Sequence, residues 1–213
     1  SLDGKTALSN GVSKWITGDA ARADVQKYRA RHCALITGVE TILVDDPSLN
    51  VRYEALGELT TYHTQEDIFQ PLRVVLDSQA RLTSAQQLFS IKSPILLVSG
   101  CAYSDKVKID FPQHVDFLQL ECDSSGRIPL LALLTYLGQH SNSVLVEAGA
   151  FVAQGLADEV VLYQAAKLLG SHGRNMLQLP DYSAMDQTPS LQLIDERSIG
   201  QDKRYILRYN QSY

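Results

Sequence analysis

The sequence predicts an α/β domain: a mixed sheet, mostly parallel, with an antiparallel C-terminal edge and flanking helices. Three observations predict it. Short apolar runs ending in turn or polar residues recur as far as Gly149, and stretches with helical spacing lie between them. The last part of the chain then changes to runs that follow one another without a helix. Continuous apolar runs suit strands buried on both faces, whereas alternating ones suit antiparallel strands with one wet face.

Taken in order, "DAARADVQKYRAR" is the first helix. Ala21, Val25 and Tyr28 fall on one stripe, acidic Asp19 opens it, and Arg29 and Arg31 close it, matching the helix dipole. The strands "CALITG" (33–38), "LRVVLD" (72–77), "PILLVSG" (94–100), "HVDFLQLE" (114–121) and "SVLVEAG" (143–149) follow. Residues 50–70 are polar and aperiodic, an excursion over the surface. A second helix covers 128–139, where Leu130, Leu131, Leu134 and Leu137 give a wide apolar face and Pro129 sits near the start. "DEVVLYQAAKLLG" (158–170), "LQLIDERSIG" (191–200) and "KRYILRYN" (203–210) are three more strands, the last two forming an antiparallel hairpin edge.

A chain of 213 residues, 45% hydrophobic and 20% charged, fits one globular domain. Its net charge of -5 argues against a nucleic-acid partner. No apolar run reaches the roughly 18 residues that span a bilayer. Cys33, Cys101 and Cys122 are odd in number and widely spaced, which fits neither a disulfide framework nor a zinc site. His32, His63, His114, His140 and His172 are equally dispersed, so no metal is expected. The expected setting is cytoplasmic, with reduced thiols.

Ligands of open α/β sheets gather where strands end and helices begin. Three such ends are rich in Gly, hydroxyls and acids. In "LITGVETILVDDPSLNVR", Gly38 permits close approach, Thr41 offers a hydroxyl and Asp45-Asp46-Pro47 makes an acidic turn; simple turn capping is the competing reading. "VLVEAGAFVAQGL" delivers Glu147 at a strand end, then a small-residue turn into a helix, where backbone N–H groups can face an anion. It is not a dinucleotide fingerprint, because only Gly149 and Gly155 are present. In "VVLDSQARL", Ser78 and Arg81 follow a buried strand and suit a phosphate, or an ordinary Asp-Ser turn. Trp15, the one tryptophan, is by default a packing residue.

Together, "SLDGKTAL", "SKWITG", "ARADVQKYRARHCALITGVETILVDDPSLNVR", "VVLDS", "VEAG" and "DEVVLYQAAKLLG" resemble the reductase half of the bifunctional riboflavin-biosynthesis deaminase–reductase family. The resemblance covers essentially residues 1–213 and is most specific in the first 52. It implies a dihydrofolate-reductase-like fold and NADPH-dependent reduction of 5-amino-6-(5-phosphoribosylamino)uracil to the ribityl compound. In the family a strand and a zinc deaminase domain precede "SLDG", so both are expected to be missing here. The expected partners are the small-molecule substrate, the deaminase domain of a full-length chain, and a second copy in a homodimer.

Carried over by residue, the resemblance implies that Ser13, Arg29, Leu49, Arg52 and Glu147 face the substrate. Arg29 and Arg52 suit its phosphate, and Glu147 its hydrogen-bonding groups. Trp15, Thr41, Asp45, Ser78 and the turn Gly149, Ala150, Phe151, Val152, Ala153, Gln154 and Gly155 belong to the NADPH side. Glu147 and Asp45 are the catalytic candidates, since ring opening of the ribose needs a proton; water is the other source. The chain departs from the family at Ala150-Phe151, where Pro-Thr is common. A dihydrofolate or pteridine reductase, and a non-catalytic nucleotide-binding module of the same fold, are the alternatives.

Overall fold

The computed structural model describes residues 1–209, so Asn210, the end of the last expected strand, lies outside the described residues. The strands are β1 (Lys5–Ala7), β2 (Ala34–Gly38), β3 (Leu72–Leu76), β4 (Ile95–Ser99), β5 (Val115–Gln119), β6 (Val144–Val146), β7 (Glu159–Gln164), β8 (Arg174–Asn175), β9 (Leu191–Ile199) and β10 (Asp202–Tyr209). The helices are α1 (Asp19–Arg31), α2 (Val39–Asp45), α3 (Asp105–Lys108), α4 (Leu130–Gly138) and α5 (Ala150–Ala153). Two compact units result: a central one, Gln26–Ala148, and a split one built from Ser1–Val25 and the chain from Gly149 on.

The central unit holds a five-stranded parallel sheet in the order β5-β4-β3-β2-β6. Ala34 of β2 stands opposite Leu72 on one side and Val144 on the other. Three of the five runs expected to be buried are buried: Ala34, Leu35 and Ile36, Val74 and Val75, and Ile95 to Val98 are 4% exposed or less. The two outer strands differ, β6 being half-buried throughout and β5 exposing Asp116 and Gln119, because an edge strand has a neighbour on one side only. Leu35, Ile42, Leu49, Val75, Leu88 and Leu97 form its core, with Phe111 edge-on to both Phe89 and Tyr103. Parallel strands all end at one edge, so Gly38, Asp77, Gly100 and Glu147 follow their strands on the same side of the sheet.

One buried residue breaks the apolar pattern. Arg73 of β3 is fully buried and donates to the carbonyls of Ser48, Leu88, Ile91 and Ser93. Desolvation lowers its pKa to about 10. No described carboxylate pairs with it; four carbonyl dipoles hold it and tie β3 to its neighbouring loops.

The acidic stretch after β2 is a short helix. Val39 and Ile42 of α2 turn inward, and the helix closes at Asp46, which adopts the left-handed conformation at φ 42. The excursion of residues 50–70 contains 3₁₀ turns at Tyr53–Thr61 and Gln65–Asp67, anchored by buried Leu56.

In the split unit the expected C-terminal antiparallel strands form a three-stranded sheet, β7-β10-β9, and β1 pairs with β8. The β9–β10 hairpin turns at Gly200, whose φ of +62 favours glycine. Asp24 accepts from Arg204 at 2.8 Å and from the Tyr163 hydroxyl at 2.7 Å. Oδ2 of Asp3 accepts from the N–H groups of Leu169 and Gly170, so the "SLDG" and "KLLG" stretches are held together.

Candidate active site

Arg29 and Glu147, expected on sequence grounds to serve one ligand, meet directly. Arg29 stands in the last turn of α1, and Glu147 is the residue after β6, its N–H bonded to the carbonyl of Ile36. Nε of Arg29 donates to one Glu147 oxygen at 2.8 Å and Nη2 to the other at 2.7 Å. This two-point pairing matches the planar guanidinium to the planar carboxylate. The side chains are 15% and 27% exposed, so the pair is half-sheltered but reachable. Its third contact, Nη1 to the carbonyl of Asn50, brings in the segment carrying Leu49 and Arg52.

That segment is unusual backbone. Leu49 has φ +53 and is 2% exposed, its side chain packed in the core. Only its backbone is left to meet a ligand. Arg52 behaves in the opposite way: its side chain is exposed, and no described residue forms an ion pair with it. The two arginines expected to share a phosphate therefore differ, Arg29 being engaged and Arg52 available.

On α2, Thr41 is half-buried and Asp45 exposed, four residues apart and so on one helix face. Ser78, half-buried after β3, accepts at its carbonyl from the N–H of Gly100 at 3.0 Å. Arg81 is paired with Glu40, which raises its pKa. Beside them Asp77, fully buried, accepts from the Leu82 N–H at 2.8 Å and the Tyr103 hydroxyl at 2.7 Å.

In the split unit Ser13 is half-buried in the loop between β1 and α1. Trp15 is not a packing residue: it is 62% exposed, with the Arg22 guanidinium 4.2 Å from its ring centroid. The run Gly149 to Gly155 is a turn, the single-turn helix α5 and a second turn at Gly155, where φ is +67. A Cβ on Gly149 would lie 3.1 Å from the carbonyl oxygen of Met176, which is tight. Phe151 is buried and anchors the turn, and Val152 accepts from the Tyr209 hydroxyl. Sequence reasoning missed the amides of Gln26 and Gln70, which grip the Val51–Arg52 backbone; nothing in composition or motif marks them. Among the described residues, no group of three His, Cys, Asp or Glu side chains is arranged to hold a metal, and no helix is long and apolar enough to cross a membrane.

Comparison with known proteins places this geometry. A family model described as the RibD C-terminal domain matches residues 1–204. Riboflavin biosynthesis protein RibD of Haemophilus influenzae is 40% identical over 209 residues, covering 95% of this chain and 54% of that protein. The 5-amino-6-(5-phosphoribosylamino)uracil reductase of a Buchnera aphidicola subspecies (Acyrthosiphon pisum) is 34% identical, covering 94% of this chain and 98% of that protein. RibD of Acinetobacter baumannii superposes with a TM-score of 0.83 at 37% identity, over 99% of this chain and 56% of that one. The chain thus spans about half the length of the RibD proteins it matches. It belongs to the RibD C-terminal domain family.

Proposed function

We propose that this chain, as a member of that family, uses NADPH to reduce the ribosyl side chain of 5-amino-6-(5-phosphoribosylamino)uracil to a ribityl chain. The observation that carries the reading is the division of labour between two arginines. Arg29 is committed to Glu147, whereas Arg52 exposes a guanidinium that no described residue pairs with and that suits the substrate's phosphate. A pteridine substrate without a phosphate leaves Arg52 without a ligand. The Buchnera relative of nearly equal length, named for this reduction, supports the same reading.

The residues present fit a nicotinamide dinucleotide. The first-turn N–H groups of a helix starting at Ala150 have no intrahelical acceptor, which suits phosphate oxygens. The family resemblance assigns Trp15, Thr41, Asp45 and Ser78 to the same cofactor. When bound, the cofactor supplies a hydride to the substrate's C1'. The chain's own contribution is placement. Glu147, with both oxygens already accepting from Arg29, is an acceptor for substrate hydroxyl or amino groups, and Asp45 or water is the proton source for ring opening. The Arg81–Glu40 pair is exposed on both sides, so little opposes its exchange for a 2'-phosphate.

The test is to incubate the protein with substrate and either NADPH or NADH. Loss of the reduced-nicotinamide absorbance should be faster with NADPH, and mass spectrometry should show a product that has gained two hydrogens. Absence of turnover alongside tight NADPH binding would favour the non-catalytic alternative.

A further inference from the structure

We propose that Gln26 and Gln70 are positioning residues: they fix the backbone of Val51 and Arg52 and thereby aim the Arg52 guanidinium at the substrate phosphate. This rests on the phosphate role given to Arg52 above. The N–H of Arg52 donates to Oε1 of Gln26 at 3.0 Å. The N–H of Val51 donates to Oε1 of Gln70 at 2.8 Å, and Nε2 of Gln70 returns a bond to the Val51 carbonyl at 3.0 Å. An amide carries both a donor and an acceptor, so Gln70 meets both backbone polar groups of one residue as a paired strand would.

The neighbouring carbonyls are gripped too, that of Asn50 by Arg29 at 3.2 Å and that of Ser48 by Arg73 at 3.0 Å. Four side chains from α1, β3 and the segment leading into β3 thus hold four of the five residues from Ser48 to Arg52, all but Leu49. Such over-determination explains how Leu49 keeps φ +53, a conformation leucine rarely adopts. Gln26 and Arg29 are three apart on α1, so one helix face carries both the Arg52 backbone anchor and the Glu147 partner. Gln26 is 3% exposed, an amide buried where packing alone would favour an aliphatic residue. With its backbone fixed, Arg52 has only its own side chain to order when phosphate arrives.

The experiment compares Gln26→Met, Gln70→Met and Arg52→Ala, singly and with Arg52→Ala combined with each. Each is assayed with the phosphorylated substrate and with its dephosphorylated analogue. Arg52→Ala should raise KM for the phosphorylated substrate strongly and leave the analogue unaffected. Gln26→Met should raise KM for the phosphorylated substrate about five- to tenfold, the scale of one lost hydrogen bond, and Gln70→Met, which removes two, at least as much. The value for the analogue, kcat and NADPH affinity should stay near wild type. In the Arg52→Ala background neither should add to the loss, because the effect runs through Arg52. Gln26→Glu, which keeps the acceptor, should restore KM; Gln70→Glu, which loses the donor to Val51, should not. Equal losses for both substrates, additive losses in the Arg52→Ala background, or unchanged KM would overturn the positioning role. If Arg52→Ala is phosphate-selective and the Gln variants are not, only this inference falls. If Arg52→Ala itself is unselective, the phosphate reading falls and this inference with it.

Discussion

Two acids end strands of the same parallel sheet, and their fates differ. Asp77 follows β3, is fully buried, and takes its hydrogen bonds from neutral donors, the Leu82 N–H and the Tyr103 hydroxyl, while the Arg81 guanidinium stands off at 3.9 Å from its other oxygen. Burial, and then Asp77 itself, push the Tyr103 phenol well above its usual range. Glu147 follows β6, keeps 27% of its side chain exposed, and has both oxygens on one guanidinium. Position in the topology is the same and so is the charge. Access and partner type separate a carboxylate that belongs to the core from one that can meet a ligand.

The largest effect that tests the contrast is Asp77→Ala. It strands the Tyr103 hydroxyl and the Leu82 N–H, both in residues 4% exposed or less. Leaving buried polar groups unsatisfied costs about 1–3 kcal/mol each, so the variant should lose about 2–4 kcal/mol in denaturant unfolding. The folded fraction should keep kcat near wild type. A variant with an unchanged midpoint and lost turnover would place Asp77 with Glu147 and break the contrast.

Glu147→Gln should do the reverse. Shape and volume hardly change, and Arg29 keeps one strong acceptor, so melting temperature and NADPH affinity should stay close to wild type. Turnover should fall at least tenfold, about 1.4 kcal/mol of transition-state stabilisation. Thermal melts and steady-state kinetics on one preparation decide it. A destabilised but fully active Glu147→Gln protein would make both strand-end acids structural.

The same contrast shows what the sequence carried. Strands β2 to β4 are legible because burial on both faces demands uninterrupted apolar residues, half-buried β6 because its short apolar run is equally unbroken, and the β9–β10 hairpin because alternation and Gly200 mark it. Glu147 stood out as an acid at the end of such a run. Arg29 was expected beside the substrate through the family resemblance, but its pairing with Glu147 was not legible, because the two lie 118 residues apart and Arg29 also looks like a dipole-matching residue in a last turn. Arg73 was invisible for a related reason: four carbonyls 15 to 25 residues off accept from its two terminal nitrogens, and carbonyls leave no trace in composition. The helix α2 was read as a turn because Asp45-Asp46-Pro47 announces the end of an element without revealing the one before. Gln26, Gln70 and the conformation of Leu49 belong to the same class, written in backbone contacts rather than residue type.

The smallest predicted effect separates access from partner type. Asp3, in the split unit, accepts from neutral donors as Asp77 does, but it is only half-buried. The Ser1 hydroxyl, then the N–H groups of Gly170 and Leu169, lower its pKa from 3.8 to about 2. A carboxylate whose folded pKa lies below its unfolded one stabilises the fold fully above the unfolded value. That contribution fades as pH falls from about 4 towards 2. Asp3→Asn should therefore show a small deficit in urea midpoint at neutral pH that shrinks through this window and vanishes near its lower end. Asp77→Ala leaves groups unsatisfied at every pH, so its deficit should persist at the acid end. Equal acid-end deficits in the two variants would mean that Asp3 acts through shape rather than charge. In that event partner type alone, and not access, would distinguish the carboxylates of this protein.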